Sequence, residues 1–442
     1  MNRRYILDTL YGRIYLPDYV WEVLATPEVQ RLREIRLCNI NSLCLTGGAN
    51  INRYEHAIGT CYLAIKCYES WILKRSFSPN EVKAFVVAAL LHDVANSAFG
   101  HTIEYIEEYS PESSFLEILL KKDGNHFTSH RATYEVAFFG LLGNLNDVLT
   151  KNVKLSKADI QLISDGIQGN GLFGPLISNS IDLDNIDNVY RLAFHLGIVA
   201  DKSVPLKLAT RLIIDDGLLK IKDDSVYLLN DWHKIRRHLY EYLLLNADEF
   251  SGKAMLTEAV ENTKHGSNNP FPFRWFDTDY ELLRKLKDFS ANNNDIISRL
   301  MIGNLYGCLC ILETSKVELY SEFTSTASRK EMENEIELLV RSTHPTLKSA
   351  MISLHPILDI DKTRRKIDII TETGIPITIG SSSRSLLIGV FFKNKDLDIT
   401  KFRNSKLKIG KIQKDVVKYF SRQLNDPNIN LINLYEEGVV HE

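Results

Sequence analysis

Three separated segments of this chain carry side chains that are suited to coordinating a metal ion. RYEHAIG contains His56, AALLHDVANSAFGH contains the adjacent pair His92 and Asp93, and SIDLDNIDNVYR contains Asp184. Two imidazoles and two carboxylates form a mixed nitrogen and oxygen set, which suits a borderline-hard divalent cation. Such a cation, with open coordination positions, polarises a phosphoryl group or lowers the pKa of a bound water to about 7. The four residues therefore predict a metal-dependent phosphohydrolase.

The convergence of these side chains does not follow from their spacing. His92 and Asp93 are neighbours, about 100° apart around a helix, so both reach one ion only from a helix edge or end. An alternative interpretation is that His92 binds carbonyl groups at a helix end while Asp93 pairs with a cation. On the residues alone, both interpretations stay open.

The segments around these residues have helical patterns. Ser78 and Pro79 are typical of a helix start, and the apolar run after them predicts a buried helix with His92 and Asp93 in its last turns. HAIGTCYLAIKCYESWILKR has the periodicity of an amphipathic helix. The same periodicity predicts helices over 156–168, 182–196 and 231–250.

The C-terminal part of the chain has a different pattern. RKIDIITE, IPITIG and SLLIGVFF are β-branched or aromatic runs between turn residues, which predicts three strands, and GKIQKDVVKYFSRQL predicts a helix. We therefore expect a mainly α fold, in which a helical core is followed by a smaller α+β C-terminal part. The expected domains are the core over 1–250, a helical extension over 251–330 and the α+β domain over 331–442.

The composition of the 442-residue chain is that of an ordinary globular protein, with 44% hydrophobic and 25% charged residues. The net charge of -3 does not support nucleic-acid binding, and we interpret the basic runs at 234–237 and 362–366 as solvated faces. No run approaches the roughly 18 apolar residues of a membrane span. The cysteines form no CxxC pair, and reduced thiols fit a cytoplasmic protein.

Three motifs resemble, in order, those of the HD-domain superfamily. They are RYEHAIGTCYLA, LLHDVANSAFGH and IDLDNIDNVYRLAFHLGI. Within that superfamily the chain is most similar to the dNTP triphosphohydrolases, which include bacterial dGTPases and the SAM-and-HD-domain dNTPase. The resemblance covers roughly residues 27–200. It implies an HD-domain helical core, a nucleotide substrate, most of all a dNTP that is cleaved to deoxynucleoside and triphosphate, and a homo-oligomer.

The resemblance also implies roles for individual residues. One divalent ion (iron, manganese, cobalt, nickel, zinc or magnesium) would be bound by the four residues named first, with Asp93 also in a catalytic role. His101 matches a histidine that approaches the phosphates. His130 matches a catalytic histidine that acts as general acid or orients the nucleophile. His126, a candidate for substrate binding, competes with it for that place, because an insertion makes the alignment looser.

Four further residues are expected close to the metal or the substrate. Arg53 precedes His56 by three residues and would clamp a phosphate with its planar guanidinium group, the alternative being a surface ion pair with Glu55 or a nearby acid. Asn96 is a further candidate for substrate binding. Asp182 and Asp187 are expected to cap or brace the start of the helix that carries the last ligand.

The chain departs from the family pattern at positions around the metal ligands. After the HD pair, Ala95 replaces a glycine and Asn96 replaces a histidine that takes part in phosphate chemistry. Asparagine cannot transfer a proton near neutral pH. Asn188 and Leu192 stand where the family has a tyrosine and an acid that recognise deoxyribose. Two other functions therefore stay open: hydrolysis of another phosphoester (a nucleoside monophosphate, a cyclic nucleotide or single-stranded nucleic acid), or nucleotide binding by a regulator with weak turnover.

Overall fold

The computed structural model describes two compact units, each assembled from several stretches of the chain. The first comprises Met1–Leu239, Asn269–Leu286 and Lys366–Gly380, and the second comprises Tyr240–Asn268, Lys287–Arg365 and Ser381–Glu442. The predicted boundaries near 250 and 330 stay a prediction. Within these units the structure describes residues 4–38, 50–71, 77–100, 144–215, 217–263, 271, 276–343, 347–360, 365–382, 384–394 and 406–432.

The described residues are mainly helical, as the sequence predicts. No described helix is both long enough and apolar enough to cross a membrane. The helices are α1 (Asp18–Leu24), α2 (Pro27–Arg31), α3 (Arg53–Trp71), α4 (Pro79–Leu91), α5 (Leu145–Asp147), α6 (Lys157–Ile167), α7 (Gly174–Ile177), α8 (Leu183–His195), α9 (Val204–Ala209), α10 (Val226–Leu245), α11 (Ala247–Asn262), α12 (Asp279–Phe289), α13 (Ala291–Met301), α14 (Tyr320–Thr324), α15 (Thr326–Thr343) and α16 (Lys406–Gln423). The strands are β1 (Ile6–Asp8), β2 (Gly12–Ile14), β3 (Leu212–Asp215), β4 (Leu218–Ile221), β5 (Gly307–Thr314), β6 (Ile352–Ile360), β7 (Ile367–Thr371), β8 (Pro376–Ile379), β9 (Arg384–Phe392) and β10 (Asn430–Ile432).

Local sequence explains why α4 begins and ends where it does. Ser78 is its N-cap and forms a capping box with Glu81, while Pro79 occupies the first turn, which confirms the prediction. The residues from Ala84 to Leu91 are all buried, so the helix lies in the interior of the first unit. His92 is the C-cap, and the chain leaves the helix at the pair of potential ligands. In this unit α3 packs against both α4 and α8, which brings the three motifs together.

The helix predicted over 231–250 is wrong in its extent, because two helices occupy this region. α10 ends at Leu245 and α11 begins at Ala247. Asn246, between them, accepts hydrogen bonds from the backbone N–H groups of Asp248 (2.9 Å) and Glu249 (3.2 Å). An asparagine in this position caps a new helix, and this local preference ends the apolar periodicity of the first.

The three predicted C-terminal strands form, but they belong to two different sheets. β7 and β8 join the hairpin β3–β4 in the order β3-β4-β7-β8, and Lys220 of β4 pairs in parallel with Ile370 of β7. β9 lies between β5 and β6 in an antiparallel sheet of the order β10-β5-β9-β6. The core of the second unit is built on this sheet and includes Leu312, Phe323, Ile336, Ile388 and Phe420.

The open edge of β6 is covered by acidic side chains. Glu337 of α15 accepts a hydrogen bond from the backbone N–H of Ile352, and Glu333, one turn earlier, accepts one from Leu354, both at 2.8 Å. Pro356, next on the same side, has no N–H to offer. The edge is therefore unsuited to pairing with a strand of another chain.

Replacing Glu333 by glutamine is expected to change how stability depends on pH. Burial raises the pKa of the Glu333 carboxyl to about 7. Between its ordinary value near 4.5 and pH 7, the folded protein holds a proton that the unfolded chain has lost, so the free energy of unfolding falls as pH rises. Glutamine keeps an oxygen that accepts from Leu354 and cannot ionise. At pH 8 we expect the free energy of unfolding of Glu333→Gln to exceed that of the parent by about 1–3 kcal/mol. Near pH 4.5 we expect the two values to be equal.

Urea unfolding of the two proteins from pH 4.5 to 8 measures this difference. His355, whose pKa burial lowers to about 3, is present in both proteins, so its contribution cancels. Glu331→Gln, on the exposed side of the same helix, is the matched control and should give no pH-dependent difference. Parallel curves for Glu333→Gln and the parent would contradict the prediction.

Candidate metal centre

Helices of the first unit hold the four predicted ligands in one place. His56 lies in the first turn of α3, His92 caps α4 and is followed by Asp93, and Asp184 lies in the first turn of α8. The side chains of His56, His92 and Asp93 are 1%, 5% and 12% exposed, and that of Asp184 is 31% exposed. The cluster therefore has a buried base and one side that is open at Asp184.

The distances between donor atoms fit a single metal ion. The two Nε2 atoms of His56 and His92 are 3.0 Å apart, and Asp184 Oδ1 lies 2.9 Å from the first and 3.6 Å from the second. Asp93 Oδ2 lies 3.9 Å and 3.6 Å from the same two atoms. With metal–ligand distances of about 2.0–2.2 Å, neighbouring donors of a tetrahedral or octahedral centre are about 3–3.6 Å apart. The geometry is compatible with metal binding.

Both imidazoles are oriented for this role by their other nitrogen. His92 Nδ1 lies 2.9 Å from the carbonyl oxygen of Ala89, and His56 Nδ1 lies 2.7 Å from Asp187 Oδ2. Each Nδ1 therefore donates a hydrogen bond, which leaves each Nε2 directed at the cluster as the atom that would bind a metal ion. The alternative interpretation of His92 is also satisfied, because its Nδ1 binds a helix carbonyl without occupying Nε2.

The electrostatic surroundings keep the cluster ready for a cation. Burial acts to raise the pKa of the Asp93 carboxyl, but Arg53, His92 and His56 outweigh it and lower that pKa to about 2. Burial acts to lower the pKa of His56, but hydrogen bonds and charges from Asp184 and Asp187 outweigh this effect and raise the pKa to about 10. The acids therefore attract positive charge at His56 Nε2, where a metal ion or a proton would be held.

Arg53 and Asn96, the predicted substrate-binding residues, both contact Asp93. Arg53 is buried and donates from Nη1 to Asp93 Oδ2 at 2.7 Å, so the alternative of a surface ion pair is wrong. Asn96 is buried and donates from its amide to Asp93 Oδ1, and its own backbone carbonyl accepts from Arg31. The two residues hold the Asp93 carboxylate in one orientation, and their contact with a substrate stays a prediction.

The loop that follows the HD pair is held by an aspartate from a distant part of the first unit. Phe99 has a positive φ of 53°, which is unfavourable for a bulky side chain. Asp279 Oδ1 accepts a hydrogen bond from the backbone N–H of Phe99 at 2.7 Å, and its Oδ2 accepts from the backbone N–H and the Nη1 of Arg36 at 2.9 and 3.1 Å. The bond from Phe99 stabilises a strained loop next to the candidate ligands, and the two bonds from Arg36 hold Asp279 in place.

The two aspartates expected to brace α8 have different roles. Asp182 is the N-cap, since Oδ1 accepts from the backbone N–H of Asn185 at 2.6 Å, which confirms the prediction. The prediction is wrong for Asp187, which is fully buried inside the helix and contacts His56 and Arg191. Arg191 also donates a hydrogen bond to Asp8 of the N-terminal hairpin, which consists of β1 and β2. Sequence reasoning missed Arg191, Asp8 and Asp279, although a charged residue inside an amphipathic pattern was a signal for the first.

Three predicted residues lie outside the described part of the chain. They are His101, His126 and His130, so their catalytic and substrate-binding roles stay predictions. Of the two positions where the family recognises deoxyribose, Asn188 is partly exposed and Leu192 is buried. An apolar, buried side chain at the second position has no group that binds a sugar hydroxyl.

Comparisons with known proteins find relatives that are named deoxynucleoside triphosphate triphosphohydrolases. No profile of a known protein family matches the chain. It is 21% identical over 340 residues to the deoxynucleoside triphosphate triphosphohydrolase SAMHD1 homolog of Dictyostelium discoideum, covering 72% of this chain and 62% of that protein. It is 32% identical over 101 residues to SAMHD1 of Xenopus laevis, covering 22% of this chain and 16% of that protein. The chain thus spans less than two thirds of the length of these curated relatives.

A solved structure shares the fold. The chain is similar to a phosphohydrolase of Bacteroides thetaiotaomicron, with a TM-score of 0.61 and 18% sequence identity. The similarity covers 89% of this chain and 100% of that chain. At this identity the likeness concerns the arrangement of helices and strands, and the chemistry must be argued from the residues of the site.

Proposed function

Because this chain is a relative of the HD-type phosphohydrolases, we propose that it hydrolyses phosphoesters of nucleotides with one divalent cation. The proposal is carried by one observation: His56, His92 and Asp93 form a buried cluster whose donor atoms lie 3.0–3.9 Å apart, and Asp184 Oδ1 lies 2.9 Å and 3.6 Å from the two Nε2 atoms of that cluster. A bound cation supplies a polarised phosphoryl oxygen and a water of lowered pKa. Its identity is open among iron, manganese, cobalt, nickel, zinc and magnesium, since this ligand set accepts them all.

The residues of the chain orient the ligands and keep one side open for the phosphate. Arg53 and Asn96 fix Asp93, and the buried imidazoles exclude water from the base of the site. Asp184, the most exposed ligand, marks the side at which a phosphate group enters. We propose His101 and His130 as the groups that transfer protons, with His126 as the alternative to His130.

For the substrate we propose a dNTP, cleaved to deoxynucleoside and triphosphate. The support is the name of the relatives, deoxynucleoside triphosphate triphosphohydrolase, together with the order of the motifs. A second candidate is another phosphoester, and it is favoured by Leu192, whose buried apolar side chain replaces a group that would read the sugar. The relatives and the motif order also lead us to propose a homo-oligomer.

A panel of nucleotides separates these candidates. The full chain is incubated in turn with Mn²⁺, Mg²⁺, Fe²⁺, Co²⁺, Ni²⁺ and Zn²⁺, and with dNTPs, NTPs, nucleoside monophosphates, cyclic nucleotides and single-stranded DNA and RNA. Phosphate and triphosphate are quantified separately. We expect triphosphate to be released from dNTPs and activity to be lost when a chelator is added. Phosphate or mononucleotide products would select the second candidate, and binding without any product would overturn the proposed hydrolysis.

A further inference from the structure

We propose that Asp187 is a positioning residue of the metal centre and that Arg191 and Asp8 hold it in place. The N-terminal hairpin would then be a working part of the site, although it contributes no ligand. This inference rests on the proposed function, because it concerns the affinity of His56 for the metal ion.

Asp187 contacts His56 directly. The carboxylate accepts a hydrogen bond from Nδ1 at 2.7 Å, and both side chains are almost completely buried. An imidazole carries its single neutral-state proton on either nitrogen and can rotate. The carboxylate fixes the proton on Nδ1 and the orientation of the ring, so that Nε2 is free to bind a metal.

Asp187 is in turn held by Arg191. Arg191, one turn later on α8, donates from Nε to Oδ2 at 2.9 Å and from Nη2 to Oδ1 at 3.0 Å. Both side chains have no exposed surface. A forked pair of hydrogen bonds fixes the plane of the carboxylate, and thereby the direction from which it approaches His56.

Arg191 also contacts the hairpin of β1 and β2. Arg191 Nη1 donates to Asp8 Oδ2 at 2.9 Å, while Asp8 Oδ1 accepts from the backbone N–H groups of Leu10 and Tyr11, both at 2.8 Å. Asp8 therefore ties the turn of the hairpin to Arg191. The guanidinium group lies between two carboxylates, and each of its terminal nitrogens is directed at one of them.

The close approach of α3 supports the same conclusion. Gly59 lies on α3 one turn after His56, and a Cβ atom there would collide with the side chains of both Asp187 and Arg191. The charged side chains of Asp187, Arg191 and Asp8 are thus packed tightly in the interior, where apolar residues of similar size are often equally or more stabilising. An arrangement that is costly for stability alone is explained if it orients a metal ligand.

Metal affinity in the absence of substrate tests the inference. Binding of Mn²⁺ to the full chain is measured by titration calorimetry for the parent, Asp187→Asn and Asp8→Asn. We expect affinity to fall about 10- to 100-fold for Asp187→Asn, the usual effect of losing such an outer partner, and less for Asp8→Asn. Gly59→Ala keeps every polar group but displaces Asp187, so it should also weaken binding.

A matched control and a spectroscopic measurement separate positioning from stability. Asp277→Asn breaks another buried ion pair of the first unit, that with Lys285, and should lower stability without changing metal affinity. ¹⁵N NMR of the histidine rings in the Zn²⁺-loaded proteins, with His56 assigned from a His56→Gln variant, should show the His56 ring bound through Nε2 and protonated at Nδ1 in the parent. In Asp187→Asn the ring should show a mixture of this form and forms that are not bound through Nε2.

The outcomes distinguish this inference from the proposed function. If Asp187→Asn and Asp8→Asn lower only the stability, with unchanged Mn²⁺ affinity and an unchanged His56 spectrum, the inference is overturned. If the variants weaken Mn²⁺ binding as expected while the parent hydrolyses none of the nucleotides, the inference stands and the proposed function is wrong. Asp8→Asn is isosteric and remote from the ligands, so it tests the inference even if Gly59→Ala does not fold.

Discussion

Replacing His92 by alanine is expected to abolish metal retention and nucleotide hydrolysis together. His92 provides one of the donors at the centre of the cluster, 3.0 Å from His56 Nε2 and 3.6 Å from both Asp93 and Asp184. Loss of outer partners of a metal ligand already lowers affinity 10- to 100-fold, so loss of the ligand itself should lower it by more than about 100-fold. Asp93→Ala should have the same effect, because it also leaves Arg53 without its carboxylate.

The measurement is metal content and affinity beside activity, on the same preparations. His238→Ala, at an exposed position of α10, is the matched control and should retain both properties. Circular dichroism establishes that the variants are folded. Full activity of His92→Ala, or full activity of the parent in excess chelator, would show that the cluster does not perform the reaction.

Replacing Arg53 by methionine should have the second largest effect, and on stability as well as activity. Its Nη1 pairs with Asp93 Oδ2 at 2.7 Å, and Arg53 is 4% exposed. Removing the cation leaves a buried carboxylate without its main counter-charge, which typically costs about 3–5 kcal/mol. A bound metal ion compensates part of this charge, so the loss should be larger in the presence of a chelator.

Urea unfolding with and without Mn²⁺ measures this effect, and kcat/KM on the best substrate of the panel measures the effect on activity. We expect kcat/KM to fall by at least about 100-fold, since Asp93 loses its orientation. Arg53→Lys keeps the charge without the planar fork and should give an intermediate result. Equal stability of Arg53→Met and the parent in chelator would contradict the role assigned to this ion pair.

The candidate ligands could be named from the sequence, whereas most of the residues that hold them in place could not. His56, His92, Asp93 and Asp184 lie in short motifs with recognisable order, and their donor atoms do converge. Asp8, Asp187, Arg191 and Asp279 act through contacts between residues far apart in the chain. The spacing of such residues carries no information, because the fold alone decides which distant charges meet.

A similar limit applies to the secondary structure. The start of α4 follows from Ser78, Pro79 and Glu81, which act on one another within one turn. The break at Asn246 was missed, because a single capping residue gives a weaker signal than the apolar periodicity of the helix before it. The strands β7, β8 and β9 were recognised from their residue types, but alternation of side chains does not tell a strand which partner it will have.

The parallel pairing of β4 with β7 affects how the chain folds during synthesis. The hairpin β3–β4 leaves the ribosome long before residues 367–371, so one edge of β4 has no partner through much of translation. Sheets that join segments so distant in sequence form slowly, and an unpaired edge can bind other nascent chains. The first unit is therefore completed only after its last segment, Lys366–Gly380, has been synthesised.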